Sequence, residues 1–489
     1  MSEESKQKQF STNDFQRFPA SPTIPFTPTL FETLKTIWYT PNLMLIAGTN
    51  CLEWTDMFLF IHCAALFSSV FAPDGLQEKM GIIFTSMMWT IRPAGALILG
   101  YYADKLGRRI PLLTTAFLVM CLTICLIITP TYAQFGMWAF GIFMFIRAIL
   151  TFVMAGESDL ATIYAFESSK RYEDTSLTLA LVDSGAMIAG VLILSMSAFL
   201  LSLENYFSPE YILRILLAFL TIAFLILFKN RLSLQESRLY MVERDQSEDK
   251  DSFQASQKVF DLLKNKKLLK EWLLYCGLTV CYPCAFVISY VYSHSILKEK
   301  LNYSNIQIFS HNLSVVILEL IMHFAIAFIV YYCENNKKIS RKQLVLLFVS
   351  IIPTFGGILM YFQVKTDIFN PYLFMLSQTM ILYMAKTIIN GQFLLCFPTI
   401  GRARLVTTTT ALAKIFGFIF TALLMEYIKA QGGYNYLFVF FGALAIHITC
   451  IYLSREPTAE EKRTVFNGHY LLKNRIPLTK PEHRIRNGF

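Results

Sequence analysis

Charged side chains deep inside apolar stretches are the first feature of this sequence that points to chemistry. At a helical rise of about 1.5 Å per residue, Glu53 lies about 15 Å into its stretch, Arg92 about 18 Å and Arg147 about 16 Å. Asp56 follows Glu53 by three residues, so the two carboxylates share one helix face. Ionised groups at membrane depth are costly and are usually paired and functional.

This arrangement predicts a proton-coupling site formed by Glu53 and Asp56, with Arg92 or Arg147 as the charge partner. Protonation of a carboxylate would free the arginine to bind an anionic group of a substrate. The alternative is a static ion pair that fixes the packing of the helices.

Further ionisable residues lie in apolar stretches of the second half of the chain. They are Glu319, Lys386 and Lys414, and the first two fall near mid-depth. Glu319 and Lys386 either complete a substrate site across a central cavity or form a bridge between two helices. The predicted substrate-binding residues are therefore Arg92, Arg147, Glu319 and Lys386.

The elements that must position these residues are transmembrane helices. The 489 residues are 55% hydrophobic and 16% charged, whereas a soluble domain carries roughly 25% charged residues. Backbone groups in lipid must be hydrogen-bonded internally, so apolar runs of about 20 residues predict spanning helices. The predicted fold is an all-α membrane protein with twelve transmembrane helices, near 43–71, 80–103, 110–129, 136–166, 176–201, 209–229, 270–295, 304–333, 343–361, 369–397, 404–428 and 433–453.

Polar segments divide this pattern into two groups of six helices. The predicted units are an N-terminal segment 1–42, a first half 43–229, a linker 230–269, a second half 270–453 and a tail 454–489. Basic residues concentrate in the short loops after helices 2, 4, 8 and 10, as the positive-inside rule requires of cytoplasmic loops. Both termini and the linker are therefore expected in the cytoplasm. The net charge of +9 reflects these loops and predicts no nucleic-acid partner.

One loop carries a recognisable motif. The run Gly100-Tyr-Tyr-Ala-Asp-Lys-Leu-Gly-Arg-Arg109, between helices 2 and 3, resembles the signature G-x-x-x-D-[RK]-x-G-R-[RK] of the major facilitator superfamily. The resemblance implies two six-helix halves that rock around a midplane site, and a loop that latches them on the inner side. The predicted gating residues are Asp104, Gly107, Arg108, Arg109 and Glu157. For Asp104 and Glu157 the alternative is a purely structural role at a helix end.

Shorter segments narrow the resemblance to the metabolite:proton symporters of that superfamily. Asn50-Cys-Leu-Glu-Trp-Thr-Asp56 is similar to their N-x-x-E-W-[YF]-D, and Arg92-Pro-Ala-Gly95 to their R-P-[LIV]-G. The segment from Arg147 to Glu157 and the pair Glu236-Ser237 also resemble their motifs. Symporters of this group take up proline, betaines, citrate, 2-oxoglutarate and shikimate.

The sequence therefore predicts a secondary transporter that imports a small polar or anionic metabolite (a carboxylate, amino acid or betaine) with protons. The expected setting is a bacterial-type inner membrane, with the lipid bilayer, substrate and protons as partners and a monomeric protein. A drug or siderophore efflux pump is the alternative within this class, and a non-transporting membrane sensor is the alternative outside it. We expect no enzymatic activity, no metal site and no cofactor.

Overall fold

A computed structural model of the protein describes residues 41–76, 80–169, 171–203, 206–246, 263–336, 339–366, 369–383, 386–421, 423–424, 427 and 437–466. Within these residues the long helices form twelve segments, as the apolar runs predict. We number them TM1 (Pro41–His62 and Ala64–Phe71), TM2 (Met80–Leu106), TM3 (Arg109–Ile128), TM4 (Met137–Met154 and Glu157–Ser168), TM5 (Thr175–Leu201), TM6 (Pro209–Arg231), TM7 (Lys266–Phe286, Val287–Tyr292 and Ser293–Leu301), TM8 (Asn305–Asn335), TM9 (Arg341–Lys365), TM10 (Pro371–Leu382 and Lys386–Cys396), TM11 (Thr399–Ile415 and Phe416–Phe420) and TM12 (Leu437–Leu453).

The bundle belongs in a membrane. Eight of the described segments are long and apolar enough to cross a bilayer, and large apolar side chains cover their outer surface. Phe145 is 67% exposed and Ile128 is 72% exposed, which in water would leave a large unfavourable apolar surface. The chain is therefore a multi-pass membrane protein.

Several helices that were expected to be continuous are interrupted, among them TM4 and TM10. TM4 breaks between Met154 and Glu157, where Gly156 adopts a left-handed conformation with φ of 82°. TM10 breaks at Tyr383, whose ψ of 69° is not helical. Hydropathy cannot reveal such breaks because apolar residues continue on both sides. The break in TM4 leaves the backbone N–H of Ser158 to donate a hydrogen bond to Glu53 in TM1.

The two halves, TM1–TM6 and TM7–TM12, meet along two pairs of helices. TM2 packs along TM11, where the Thr407 hydroxyl donates a 2.8 Å hydrogen bond to the Ala96 carbonyl. TM5 packs along TM8, where a ring nitrogen of His323 lies 3.1 Å from the Ala180 carbonyl. Polar contacts with backbone carbonyls thus join the halves at both seams.

The loops TM2–TM3, TM4–TM5, TM8–TM9 and TM10–TM11 lie at one end of the bundle, which we call the basic end. Two short helices lie there as well. Arg238–Gln246 follows TM6, and Ala459–Phe466 follows TM12. Phe466 is buried against Phe166 and Tyr172 of the first half, with ring centroids 5.5 and 6.1 Å away. TM7 begins at Lys266, so it starts earlier than the predicted boundary at residue 270.

Close packing inside the first half gives a stability prediction. A Cβ atom at Gly185 in TM5 would lie 3.2 Å from the backbone nitrogen of Cys51 and closer still to the Ala47 carbonyl in TM1. We expect Gly185→Ala to lower the melting temperature of the purified protein in a fluorescence-based thermal unfolding assay, because overpacking costs roughly 1–3 kcal/mol.

Gly141→Ala in TM4 is the matched control. No atom lies within 4 Å of a Cβ atom built there, so the same substitution meets open space. The melting temperature of the Gly141→Ala variant should equal or exceed that of the wild type, because alanine is more favourable than glycine in a helix by about 1 kcal/mol. An equal decrease in melting temperature in both variants would contradict the packing argument.

Candidate functional site

A small cavity lies between the two halves near the middle of the bundle. Its volume is about 80 Å³, which is room for several water molecules. Carboxyl groups line it from Asp159, Asp183 and Glu319, and Lys414 contributes an amine. The lining residues are Asn50, Trp54, Ser158, Asp159, Thr162, Asp183, Met187, Tyr282, Glu319, His323, Leu382, Tyr383, Ile388, Asn390 and Lys414.

Several buried polar atoms at this cavity have no hydrogen-bond partner among the described residues. The Oδ1 atoms of Asn50 and Asn390 and the hydroxyl of Tyr383 make no hydrogen bond with the described residues. Asn50 is held in place because its amide nitrogen donates a 2.9 Å hydrogen bond to the Val182 carbonyl. Buried polar groups normally have partners, so these atoms are available to a polar ligand.

Glu53 forms the charge centre on the first-half side of the cavity. Arg92 of TM2 pairs with its Oε1 atom, and the Lys414 Nζ atom of TM11 lies 3.5 Å from the same oxygen. Its Oε2 atom accepts a 2.9 Å hydrogen bond from the backbone N–H of Ser158. That donor is exposed by the break at Gly156, at a helix N-terminus that favours a negative charge. Three donors thus hold this carboxylate.

Asp56 and Glu157 each have a different arginine partner. The Arg147 guanidinium donates two hydrogen bonds, of 2.5 and 2.8 Å, to the Asp56 carboxylate. Arg147 also lies 3.3 Å above the ring of Phe60. The Arg231 Nη2 atom lies 2.6 Å from Glu157. Neither Asp56 nor Arg147 lines the cavity.

At the basic end, Glu167 joins the two halves. Its carboxylate lies 2.9 Å from Arg108 in the first half and 2.8 Å from Arg402 in the second half. The Ser237 hydroxyl donates a 2.6 Å hydrogen bond to the same carboxylate. Burial alone would lower the pKa of the Arg108 guanidinium, but the charges of Glu167 and Asp104 outweigh it and raise the pKa above its usual value. Arg108 is therefore always charged.

The signature loop makes a second connection through Asp104. Its carboxylate accepts hydrogen bonds of 3.2 and 3.1 Å from the backbone N–H groups of Ala403 and Arg404. Gly401 has φ of 103°, so the regular part of TM11 begins just after it. Asp104 of the first half therefore caps a helix of the second half.

Gly107 allows the same loop to turn sharply. Its φ is 93°, and a Cβ atom there would lie 2.7 Å from the Glu236 carboxyl carbon. The Glu236 carboxylate accepts hydrogen bonds of 2.9 and 3.2 Å from the backbone N–H groups of Arg108 and Arg109. It caps the start of TM3, which explains why an acidic residue follows TM6.

A related connection is made from the second half. Arg341 donates 2.8 Å hydrogen bonds to the Tyr172 carbonyl and the Thr175 hydroxyl of the first half. The Glu334 carboxylate, 2.7 Å away, holds Arg341 in place. Arg108 likewise donates to the Thr399 carbonyl in the TM10–TM11 loop of the second half, at 2.8 Å. Each half thus inserts an arginine into a loop of the other half, and the basic end is closed.

Aromatic rings close the opposite side of the cavity. Trp54 and Phe58 of TM1 contact Phe286 of TM7, with ring centroids 6.1 and 6.0 Å apart. Phe58 also meets Tyr290 edge-on at 5.8 Å. These residues continue TM1 and TM7 away from the basic end, so their ring contacts join the two halves on that side of the cavity.

The structure brings together some of the predicted site residues and separates others. Of the four predicted substrate-binding residues, Glu319 lines the cavity, whereas Arg92 and Arg147 lie behind it in ion pairs. The side chain of Lys386 lies outside the described residues. Glu157 does not join the loop arginines as predicted, because it lies next to Arg231 at the end of TM6. The described residues contain no group of three His, Cys, Asp or Glu side chains that could hold a metal ion.

Sequence reasoning missed Glu167 and Arg402 and left Asp183 without a role. Glu167 follows an apolar run at the end of TM4, where a charged residue looks like an ordinary helix end. The only signal was that Glu236-Ser237 resembles a family motif, and both residues bind this cluster.

Comparison with known proteins agrees with this architecture. The sequence profile of the Major Facilitator Superfamily matches residues 54–413. The chain belongs to this superfamily. It is therefore a transport protein and not an enzyme. Among solved structures, this superfamily member is similar to the proton:xylose symporter XylE of E. coli (TM-score 0.66, 14% identity, 87% of this chain and 98% of that chain). A structure of the E. coli fucose:proton symporter FucP gives a TM-score of 0.58 at 11% identity, covering 85% and 98% of the two chains.

Curated relatives of this superfamily member align over part of their length. A proline/betaine transporter of Salmonella typhimurium is 26% identical over 268 residues, 52% of each chain. A glycine betaine/proline/ectoine/pipecolic acid transporter, OusA, of Dickeya dadantii is 25% identical over 264 residues, again 52% of each chain. The alignments to curated relatives span 34% to 52% of the relatives' own length.

The Glu167 cluster gives a prediction about closure of the basic end. Glu167→Gln leaves Arg108 and Arg402 buried with one negative charge fewer, and breaking a buried ion pair costs roughly 3–5 kcal/mol. We expect the basic end to open more often in this variant. Hydrogen–deuterium exchange mass spectrometry should show faster exchange in the TM2–TM3 and TM10–TM11 loops.

Glu210→Gln is the control for this experiment. Glu210 lies 2.9 Å from Arg214 in a partly exposed pair at the other end of the bundle. Exposed pairs contribute less than about 1 kcal/mol, so exchange in the two loops should match the wild type. Unchanged exchange in Glu167→Gln would show that the cluster does not hold the halves together.

Proposed function

We propose that this protein imports a small zwitterionic metabolite, of the amino acid or betaine class, together with protons. The observation that carries the proposal is the mixed charge of the cavity between the two halves. Lys414 offers a cation for a carboxylate, and Glu319 and Asp183 offer negative charge for an ammonium group. The relatives from Salmonella typhimurium and Dickeya dadantii are transporters of proline and betaines, which supports the same class.

The charges argue against a di- or tricarboxylate as substrate. Three acidic residues, Asp159, Asp183 and Glu319, line the cavity. Among the described lining residues, Lys414 is the lysine that opposes them. A second carboxylate on the substrate would lie among like charges in a site with little water, where repulsion is strong. Trp54 and Tyr282 add aromatic faces that favour a substituted ammonium group.

Lys414 is the residue that links substrate to the charge centre. Its ammonium group lies 3.5 Å from Glu53 and 5.9 Å above the ring of Trp54. A substrate carboxylate that binds Lys414 must compete with Glu53 for it. Substrate binding therefore rearranges the contacts of a residue that already pairs with Glu53 of TM1. This gives the site a route to the helices that move.

Transport then requires the two closures to open alternately. The ionic contacts of Arg108, Arg341 and Asp104 close the basic end, and the aromatic contacts of TM1 and TM7 close the other end. Rocking of the two halves would break one set while the other remains. We assign the basic end to the cytoplasm on the positive-inside rule, with both termini there and a bacterial inner membrane as the setting.

Flux into proteoliposomes tests the proposal. The purified protein would be reconstituted with a pH-sensitive dye inside, and radiolabelled proline, glycine betaine and citrate would be added in turn. We expect proline or glycine betaine to enter and acidify the lumen, and citrate to do neither. Uptake of citrate without proline or glycine betaine would refute the zwitterion assignment, and the absence of uptake of all three would count against import.

Substitution of Lys414 tests the site itself. We expect Lys414→Met to raise the KM for the transported zwitterion by about tenfold or more, because hydrogen bonds to a charged group contribute roughly 1.5–3 kcal/mol. Lys414→Arg should recover part of this loss. Lys365→Met, at the far end of TM9, removes an equal charge away from the cavity and should leave KM unchanged. An unchanged KM in Lys414→Met would exclude Lys414 as a substrate contact.

A further inference from the structure

Asn50 of TM1 presents a buried hydrogen-bond acceptor at the cavity. The residue is 2% exposed and belongs to the cavity lining. Its amide nitrogen donates a 2.9 Å hydrogen bond to the Val182 carbonyl of TM5, which fixes the orientation of the amide group. The Oδ1 atom has no hydrogen-bond partner among the described residues. An amide oxygen can only accept hydrogen bonds, so this atom needs a donor that those residues do not supply.

TM10 brings two further groups of this kind to the cavity from the second half. Asn390 is 6% exposed, and its Oδ1 atom is also without a partner in the described part of the chain. Tyr383, at the break in TM10, is 4% exposed and has an unpaired hydroxyl there. Buried polar groups normally have partners, so three such groups around one small cavity indicate a polar ligand. Two of the three groups can only accept, so this ligand must carry donors.

The cation of the cavity lies beside the same face of TM1. Asn50 and Trp54 are four residues apart, so they share a helix face and lie about 6 Å apart along its axis. The Lys414 ammonium lies 5.9 Å above the Trp54 ring. A ligand with its carboxylate on Lys414 and its ammonium group at Asn50 would therefore extend along about one turn of TM1. An α-amino acid suits this spacing, because one carbon joins its two charged groups and each group adds a hydrogen bond of about 2.9 Å.

We propose that the cavity selects substrates whose ammonium group carries N–H donors, with Asn50 and Asn390 as the residues that determine this specificity. The inference rests on the proposed function and narrows its substrate class to amino acids with a primary or secondary ammonium group, against quaternary betaines. The N–H groups donate to the two free amide oxygens. A quaternary ammonium group presents methyl groups instead and leaves both oxygens buried without a donor, which a polar site penalises strongly.

The other contacts of the cavity do not make this choice. Trp54 and Tyr282 attract an ammonium group through their ring faces, and this attraction acts on methylated and unmethylated cations alike. Lys414 binds a carboxylate that both kinds of substrate possess. A hydrogen bond requires a proton on the donor, so it distinguishes the two kinds. The asparagines therefore determine specificity, while the aromatic rings and Lys414 contribute affinity.

A series of proline derivatives tests this selection. Proline, N-methylproline and N,N-dimethylproline share the ring and the carboxylate but carry two, one and no ammonium N–H groups. Isothermal titration calorimetry on the purified full-length protein would give the Kd of each. We expect Kd to rise at each step and to be at least tenfold higher for N,N-dimethylproline than for proline, a difference of about 1.4 kcal/mol. Equal Kd values, or tighter binding of N,N-dimethylproline, would overturn the proposal.

Substitution of the asparagines separates hydrogen bonding from the bulk of the added methyl groups. Leucine has nearly the shape of asparagine but no acceptor, so Asn50→Leu removes the oxygen without enlarging the cavity. We expect weaker binding of proline in this variant, so that the Kd ratio of N,N-dimethylproline to proline falls at least threefold. Asn390→Leu should lower the ratio as well, and it decides the matter if Asn50→Leu does not fold without its Val182 contact. A wild-type ratio in the folded variants would assign the selection to shape and refute the role of the asparagines.

Two lysine variants provide the controls. Lys414→Met removes the partner of the carboxylate, which all three ligands share, so the three Kd values should rise by a similar factor and their ratio should stay at the wild-type value. Lys365→Met, at the far end of TM9, should change neither the Kd values nor the ratio. A fall of the ratio in Lys414→Met equal to that in Asn50→Leu would mean that the ratio reports general damage to the site, and the proposal would fail.

The same titrations separate this inference from the proposed function. If the wild type binds neither the three proline derivatives nor glycine betaine, the zwitterion assignment fails and the inference fails with it. If it binds all four ligands with similar Kd values, the zwitterion assignment stands and only the selection for N–H groups is refuted.

Discussion

The closed state of this transporter depends on burying negative charge where two halves of the protein meet. Glu167 is fully buried and is surrounded by Arg108 and Arg402 from opposite halves. Neither arginine can leave without exposing an uncompensated buried charge, so the contact is all-or-none. The caps made by Asp104 and Glu236 fix the backbone around it. The signature loop therefore works through a counter-ion on TM4 that is not part of the loop.

The same rule divides the mid-depth acids into two kinds. Glu53 and Asp56 are balanced by cations and hold TM1 against TM2, TM4 and TM11. Glu319 has no such cation among the described residues and lines the cavity together with Asp183 of the other half. A balanced acid stabilises a packing arrangement, whereas an unbalanced one responds to the surroundings. Burial alone does not distinguish these roles, because both kinds are almost completely buried.

Sequence could predict the helices and the signature loop but not the partners of the charges. Run length and loop charge suffice for twelve spans because lipid permits few alternatives. Ion pairs depend on rotation and on breaks such as Gly156, which delivers the Ser158 N–H to Glu53. Glu157 is an example of a partner that could not be predicted from the sequence. It begins the helix that follows the break, and its side chain lies next to Arg231 and not next to the loop arginines. Hydropathy carries no information about such rotations.

The short helix Ala459–Phe466 extends from the second half but places Phe466 on Phe166 and Tyr172 of the first half. Lys462 adds a contact 4.3 Å above the Tyr172 ring. Any rotation of one half against the other must stretch, slide or release this attachment. The end of this short helix is thus a natural place for an optical probe. A solvatochromic dye at position 466 would change colour with each turnover while standing outside the path of the substrate.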